Sequence, residues 1–357
     1  MIRTYKRKLI LTKAQESRLK SWIGACRTVY NLGLQVRIET YKKIQKSTHK
    51  YELMKQITDL RKDVSWINDV NADCLQKSIE SLDKAYNSFF KGGGFPKFAS
   101  KKTFNYIQFK HIKVINNSSI KLPKFGIINI FNDESILGYP KTATIKLEPK
   151  GFFITIQCEN VPQRFASENQ TIGIDMGIAK FCIDSNGKTI ENPRHFAKYE
   201  RKLRIENRSL SRKRKGSNGW KKQAKRLSLL HHKIGNVRLD FLHKESTKIA
   251  KVNNVVYVEN LNVAGMSKNT NLSKHILDAG WAMFRQMLSY KTNVIAINPA
   301  YTSQTCFECK HVAKENRVSQ YEFVCANCGH ADNADVNAAK NIKRIGSSLD
   351  RQREAVA

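Results

Sequence analysis

Two Cys-x2-Cys pairs near the C-terminal end of the printed sequence place the strongest constraint on the fold. Cys306 and Cys309 form the first pair, and Cys325 and Cys328 form the second. Two intervening residues let one tight turn direct both thiolates at one ion, and two such turns complete the tetrahedron of a zinc ribbon. Two disulfides would require an oxidising compartment, which nothing in the sequence indicates. We therefore predict one structural Zn²⁺ held by these four thiolates.

The charge of the chain indicates a polyanionic partner. The 357 residues include 63 Lys and Arg against 30 Asp and Glu, a formal net charge of +33. Such a charge repels itself in a compact protein, so nucleic acid is the expected partner. A membrane surface is the alternative, but the apolar runs are far shorter than the ~20 residues of a spanning helix. The chain also lacks the apolar core of a secretion signal at its start, so we expect no membrane partner and a cytoplasmic location.

The positive charge is densest between Lys198 and Arg226, which hold 13 Lys or Arg and two Glu. Leucines at helical spacing and a break near residues 216–219 predict a basic helical hairpin. A solvated surface is the alternative, but such a surface normally mixes both signs of charge, so we favour phosphate contact. The candidate nucleic-acid-binding residues are Lys198, Arg201, Lys202, Arg208, Arg212, Lys213, Arg214, Lys215, Lys221, Lys222 and Arg226.

Changes of periodicity divide the chain into segments. Apolar residues at helical spacing predict a helical domain over 12–95, opened by a capping box at Thr12 and Gln15. Alternation over 1–11 and 96–165 predicts a split β domain, and residues 161–170 are polar, as in a linker. Residues 171–345 mix strands and helices and include the ribbon at 300–332. We expect a polar tail over 346–357.

Three carboxylates occupy unusual positions. Asp175 lies in a short apolar strand, Glu259 ends a second one, and Asp335 opens a helix. Each has an ordinary explanation alone: a turn former, a surface residue at a strand end, and a helix N-cap. Together, two strands and a helix with one acid each form the layout of an RNase H-like nuclease, in which carboxylates hold two Mg²⁺ ions about 3.5–4 Å apart. We predict these three residues to be catalytic and to bind Mg²⁺.

Several motifs resemble one family closely. They are residues 173–177 (GIDMG), 258–263 (VENLNV), 298–306 (NPAYTSQTC), 328–330 (CGH) and 335–342 (DVNAAKNI). They resemble TnpB, the OrfB protein of IS200/IS605-type insertion sequences. The resemblance is specific over about 171–345, and it continues more weakly towards the start of the chain, where 27–31 (RTVYN) and 94–98 (GFPKF) also resemble family signatures.

The resemblance implies an activity that composition alone does not. Members of this family are RNA-guided DNA endonucleases related to the Cas12 effectors, often labelled transposases. They pair a guide RNA from the transposon end with double-stranded DNA beside a short transposon-associated motif. Asp175, Glu259 and Asp335 match the family's catalytic positions, and the four cysteines match its zinc positions. We expect a prokaryotic, nucleoid-associated protein that acts as a monomer, although the sequence does not determine the oligomeric state.

The resemblance also implies a fold class and a domain plan. The fold is mixed α/β and β, with a wedge-like β-barrel made of residues 1–11 and 96–165. A helical recognition domain over 12–95 is inserted in this barrel. A RuvC-like, RNase H-like nuclease covers 171–345 and carries the inserted zinc ribbon. The stretch between Tyr290 and Asn298 is shorter than the family pattern, which predicts a trimmed helix end or a trimmed strand before the ribbon.

Two other functions use the same scaffold. The first is a nuclease-inactive, guide-dependent repressor or regulator of transposition, but a protein that only binds has no need for three mutually repelling acids. The second is a strand-transferring transposase, which shares the nuclease fold and the three acids. The ribbon between the second and third acid favours the RuvC-like endonuclease over that transposase.

Overall fold

A computed structural model describes residues 2–131, 134–161, 170–268 and 272–354. The chain divides into two compact units, Met1–Pro162 and Gln163–Ala357. Most of the predicted linker at 161–170 lies outside the described residues. Among the helices described, none combines the length and apolar character needed to cross a bilayer.

The first unit contains a seven-stranded sheet in which hydrogen-bonded neighbours follow the order β2-β6-β7-β1-β5-β4-β3. Every pairing in this sheet is antiparallel. The alternation predicted from the sequence is clearest in β7, where Phe152, Ile154, Ile156 and Cys158 are buried and their neighbours are not. The strands are β1 Arg3–Ile10, β2 Tyr106–Lys110, β3 Lys113–Asn116, β4 Ser119–Leu122, β5 Gly126–Ile130, β6 Tyr139–Glu148 and β7 Gly151–Glu159.

Four helices lie between β1 and β2 in the chain: α1 Lys13–Ile44, α2 Lys50–Asp63, α3 Ser65–Asn68 and α4 Ala72–Phe90. The predicted capping box is present, because the Gln15 amide donates to Thr12 Oγ1 at 3.2 Å and the Thr12 amide donates to Gln15 Oε1 at 3.0 Å. The apolar stripe of α1 packs on the sheet, where the Trp22 ring meets the Phe125 ring edge to face at 5.2 Å. Helices and sheet therefore share one core.

The second unit is built on a five-stranded sheet of order β10-β9-β8-β11-β12. The central strands β8, β11 and β12 are parallel to one another, and β9 is antiparallel to β8. A separate two-stranded sheet pairs β13 with β14. The strands are β8 Gln170–Met176, β9 Lys180–Asp184, β10 Thr189–Glu191, β11 Asn253–Glu259, β12 Asn293–Ile297, β13 Glu322–Val324 and β14 Ala331–Asn333.

Six helices complete this unit: α5 His195–Ser211, α6 Asn218–Val252, α7 Val263–Met266, α8 Ser273–Ala279, α9 Trp281–Ser289 and α10 Ala334–Glu354. Helices α5 and α6 form the predicted hairpin, and their facing leucines Leu203 and Leu230 pack with Ile234 in a small buried cluster. The predicted mixture of α and β structure is confirmed in both units.

Helix α10 is longer than expected. The sequence predicts a polar tail over 346–357, but the helix continues to Glu354. The extension is anchored to the sheet, because the Tyr257 ring packs on Gly346 and the Tyr257 hydroxyl donates to Asp350 Oδ2 at 3.3 Å. These contacts join residues that are far apart in the sequence. The polar residues at the end of α10 therefore carry no local signal that distinguishes a helix from an unstructured tail.

The segment before the ribbon is short but complete. Strand β12 pairs with β11 along its whole length, from Val255 opposite Asn293 to Glu259 opposite Ile297. The preceding turn is fixed by Lys291, whose buried ammonium donates to Ser246 Oγ at 2.6 Å and to Thr247 Oγ1 at 2.9 Å. The strand is therefore fully paired in the structure, and the trimming of the helix end or of the strand relative to the family pattern stays a prediction.

Candidate active site and metal centre

The parallel pairing of β8 with β11 brings the first two acids together. Ile174 stands opposite Val258 in the register. Asp175 and Glu259 follow these residues directly, so both acids lie at the carboxyl ends of adjacent parallel strands. Because side chains alternate along a strand, Asp175 and Glu259 share the face of the sheet that carries Gly173 and Tyr257.

Helix α10 covers that face and supplies the third acid. A Cβ atom on Gly173 would lie 2.6 Å from the Lys343 amide nitrogen and closer still to the Ala339 carbonyl oxygen, so the helix backbone touches the strand. Asp335 precedes Ala339 by four residues and therefore shares its helix face one turn earlier. The glycine thus allows the close approach that places Asp335 near Asp175.

Asp175 interacts electrostatically with both of the other acids. Burial, followed by the negative charges of Glu259 and Asp335, raises the pKa of Asp175 to about 7. Burial also raises the pKa of Glu259 and of Asp335. A site in which three carboxyl groups resist ionisation favours a bound cation, since opposite charge removes both the desolvation cost and the repulsion. Carboxylate oxygens are the ligands that Mg²⁺ prefers, so the donor set fits this ion.

Two neighbours of the acids could not be assigned from the sequence. Thr302, which is 3% exposed, donates from Oγ1 to Glu259 Oε1 at 2.5 Å, and this bond lowers the pKa of Glu259 against the effect of burial. Arg317 comes from the ribbon and lies 3.5 Å from Asp335 Oδ1. Thr302 belongs to a motif quoted above, but nothing in the sequence pairs it with Glu259.

The four predicted zinc residues meet at one point. The Sγ atoms of Cys306, Cys309, Cys325 and Cys328 all lie within 4.8 Å of one another. Cys309 and Cys325 are 3.5 Å apart, and Cys306 and Cys328 are 3.8 Å apart. Tetrahedral zinc with bonds of about 2.3 Å separates its sulfur ligands by roughly 3.8 Å, so the cluster fits this ion. Of the residues described, no others bring three metal-binding side chains so close together.

The two turns that carry the cysteines have the same backbone hydrogen bonds. The amide of Cys306 donates to His311 O at 2.9 Å, and the amide of Cys325 donates to His330 O at 2.8 Å. The residue after the second cysteine is left-handed in both turns, with φ of 68° at Lys310 and 72° at Gly329. In each turn, the backbone hydrogen bonds therefore set the direction in which the two thiolates point.

The basic hairpin presents its charge to solvent. All eleven candidate nucleic-acid-binding residues are exposed. Within the described part of the chain, none of them forms an ion pair, while nearby Glu200 is paired with Arg204 and Lys274. Arg208, Arg212 and Lys213 line a shallow depression of about 380 Å³ near the tip of the hairpin. The structure therefore provides a surface of uncompensated positive charge.

Comparison with known families identifies the class of protein. Residues 154–270 match the OrfB family of IS605 elements, described as "Probable transposase". Residues 281–342 match the "Cas12f1-like, TNB domain", which covers the cysteine cluster and the start of α10. Residues 1–46 match the OrfB "Helix-turn-helix domain", although in this structure they form one strand followed by the single long helix α1.

The match to whole proteins extends over almost the full chain. The chain is 34% identical to InsQ of Escherichia coli strain K12, over 94% of this chain and 90% of InsQ, and the name of InsQ describes an RNA-guided DNA endonuclease. It is 29% identical to a similarly named protein of Streptomyces pristinaespiralis, over 96% of this chain and 89% of that protein. The chain belongs to the OrfB (TnpB) family of IS605-type transposon proteins.

A solved structure has a similar fold at low sequence identity. The Cas12f1 chain in a cryo-EM complex with sgRNA and target DNA matches with a TM-score of 0.59 and 14% identity, over 94% of this chain and 83% of that chain. The likeness shows that this chain has the mixed α/β, multidomain fold of Cas12f1.

Proposed function

We propose that this protein is an RNA-guided DNA endonuclease that hydrolyses DNA phosphodiesters with Mg²⁺ at Asp175, Glu259 and Asp335, beside a short transposon-associated motif. One observation carries the proposal. Three acids from separate parts of the chain gather at one edge of a sheet, in a protein whose formal net charge is +33. The names of the family relatives, which describe RNA-guided DNA endonucleases, support the choice of substrate and guide.

The chain's own residues would hold and position two Mg²⁺ ions. Asp175, which interacts electrostatically with both other acids, would hold the ions together with Glu259 and Asp335. The ions would activate the attacking water and stabilise the leaving oxygen. Thr302 fixes one Glu259 oxygen through its hydrogen bond. Arg317, which is ion-paired with Asp335, is close enough to the site to bind a DNA phosphate once the carboxylate binds metal.

The domain roles follow the family plan. In this proposal residues 171–345 form a RuvC-like nuclease, and a zinc ion at the four cysteines fixes the ribbon that carries Arg317. The sheet of the first unit would be the wedge domain, and α1 to α4 the inserted recognition domain. Guide pairing would choose the target sequence, while the basic hairpin holds backbone phosphates.

The test is cleavage of a plasmid in Mg²⁺ by protein co-expressed with the 3′ flanking sequence of its own transposon. The plasmid carries a guide-matched target bordered by randomised bases, and the matched control is Asp175→Ala. We expect the wild type to give a linear product enriched for one border motif, and the variant to bind without cutting. Guide-dependent binding without cleavage by the wild type would instead establish the repressor function.

The role of the hairpin is tested separately by the salt dependence of binding. Neutralising Arg212, Lys213, Arg214 and Lys215 should reduce the slope of log affinity against log salt by as much as about 3.6, because each lost phosphate contact contributes about 0.9. The charge-conserving pair Arg212→Lys and Arg214→Lys is the control and should keep the slope. An unchanged slope in the neutralised variant would show that the hairpin is a solvated surface.

A further inference from the structure

Four aromatic rings form a cluster at the end of α4 that the nuclease site does not use. The Phe95 ring meets Tyr86 edge to face at 5.8 Å and Phe89 edge to face at 5.3 Å, and Phe90 lies 5.4 Å from Phe89. Tyr86 is buried, and the Arg37 guanidinium lies over its ring, 4.8 Å from the ring centroid. The cluster is thus fixed at its base.

The outer rings are held at the surface by the backbone. Helix α4 ends in a Schellman motif, in which the Gly93 amide donates to Ser88 O at 2.9 Å and the Gly92 amide donates to Phe89 O at 3.0 Å. Gly92 has φ +89°, which favours glycine. The motif reverses the chain and brings Phe95 back onto the helix. Phe90 remains 72% exposed and Phe95 48% exposed, so two aromatic faces meet solvent on a rigid base.

The surroundings of these rings are positively charged. Residues 84–102 contain five lysines and no acid. Lys84, Lys91 and Lys97 are exposed, and none of them forms an ion pair within the described ranges. Lys84 and Lys91, with Asn87, Ser88 and two glycines, line a shallow depression of about 510 Å³ at the end of α4, the helix that also carries Phe89 and Phe90. The C-terminal end of a helix disfavours anions, but the two ammonium groups outweigh its partial charge of about −0.5.

Aromatic faces next to unpaired lysines fit an unpaired nucleotide, whose base stacks on a ring while its phosphate meets an ammonium group. A protein partner fits less well, because lysine is depleted from protein–protein interfaces. Bases in duplex DNA are already stacked on both faces, whereas RNA is recognised mainly at unpaired nucleotides stacked on aromatic side chains.

We infer that Phe90 and Phe95 form a stacking platform for an unpaired nucleotide of the guide RNA, with Lys84 and Lys91 binding its phosphate. That the RNA is a guide rests on the proposed function. The platform itself rests on the rings, the lysines and the exposed faces.

The test measures binding of the full chain to three short fluorescent probes: a single-stranded RNA, the same RNA with abasic riboses, and single-stranded DNA of the same sequence. Phe90→Leu keeps an apolar side chain but removes the aromatic face. We expect it to weaken RNA binding about five- to a hundredfold and to leave abasic binding unchanged. Phe90→Trp should retain affinity. Tyr139→Leu, which removes a ring that is 73% exposed outside the cluster, is the matched control and should have no effect.

The lysines are tested by charge. The double variant Lys84→Gln and Lys91→Gln should weaken binding to both RNA probes. It should also reduce the slope of log affinity against log salt by roughly one to two. The platform is refuted if Phe90→Leu weakens binding of the abasic RNA as much as binding of the intact RNA, or if it leaves RNA binding unchanged. RNA as the ligand of the platform is refuted if binding is weakened for the DNA probe alone. These binding measurements do not depend on cleavage. A wild type that binds RNA through the platform but never cuts would therefore refute the endonuclease and not the platform.

Discussion

The thiolate cluster and the carboxylate cluster lie in the same unit but are assembled in different ways. The four thiolates come from two turns with matching hydrogen bonds, and their spacing already fits a tetrahedral ion. The three carboxylates come from two strands and a helix and are spaced more widely, and burial together with the charges of Glu259 and Asp335 raises the pKa of Asp175. The comparison predicts that a metal ion at the cysteines would stabilise the fold, whereas a metal ion at the acids would offset the burial of Asp175 and its repulsion by the other two carboxylates.

The largest effect should come from the cysteines. Cys306→Ser removes a buried ligand, and structural zinc contributes about 10–16 kcal/mol in small zinc-binding peptides, so we expect the ribbon to unfold. Zinc content by elemental mass spectrometry should fall below one per chain, with a lower Tm. The control is His311→Gln, which changes an exposed residue of the turn that carries Cys306 and Cys309. Retention of one zinc ion by the serine variant would contradict the four-thiolate site.

The packing that brings the acids together should be almost as sensitive. Gly173→Ala would place a methyl group against the backbone of α10 and displace the helix that carries Asp335. We expect a loss of about 3 kcal/mol of unfolding free energy and of cleavage, measured by denaturant titration and plasmid assay. In Gly235→Ala the new methyl group has open space in α6, and the change should stabilise the protein by up to about 1 kcal/mol. Equal effects of both variants would show that the close approach at Gly173 is unimportant.

The burial of Asp175 and its repulsion by the other two acids predict that this proposed catalytic residue lowers stability. The folded-state pKa of Asp175 is raised from 3.8 to about 7, so the folded protein binds the proton more tightly than the unfolded chain does. Stability of the metal-free protein should therefore fall as pH rises between these values. Asp175→Asn removes this dependence and should gain up to about 4 kcal/mol above pH 7, at 1.36 kcal/mol per pKa unit.

The measurement is Tm in buffer without added Mg²⁺, above and below the raised pKa of Asp175. Cleavage should be lost although stability rises. Asp240→Asn is the control, since Asp240 is exposed and paired with Lys244, and it should give no gain. A lower Tm for Asp175→Asn at high pH would show that the carboxylate is stabilising and that the acids do not conflict.

The smallest effect should come from Thr302→Val, which keeps the side-chain shape but removes the hydrogen bond to Glu259. We expect a loss of about 1 kcal/mol in stability and a roughly tenfold fall in kcat with little change in KM, because the carboxylate loses its orientation. Thr302→Ser should restore the rate. A change in KM with kcat unchanged would assign Thr302 to substrate binding.

The sequence by itself determined what depends on near neighbours. The cysteine spacing predicted the thiolate cluster because two residues per turn fix the geometry locally, and the Thr12 capping box predicted the start of α1 for the same reason. The charge run predicted an exposed basic hairpin, since thirteen like charges in 29 residues cannot be buried.

Tertiary structure alone decided the relation between distant segments. The meeting of Asp175 with Glu259 depends on the register of β8 and β11, and the position of Asp335 depends on how closely α10 approaches Gly173. The contacts of Thr302, Arg317 and the end of α10 have no local signal, so the sequence left the first two unassigned and placed the last in a tail. Short-range patterns specify turns and helices, but the distances between separate elements follow from packing, which no window of neighbouring residues contains.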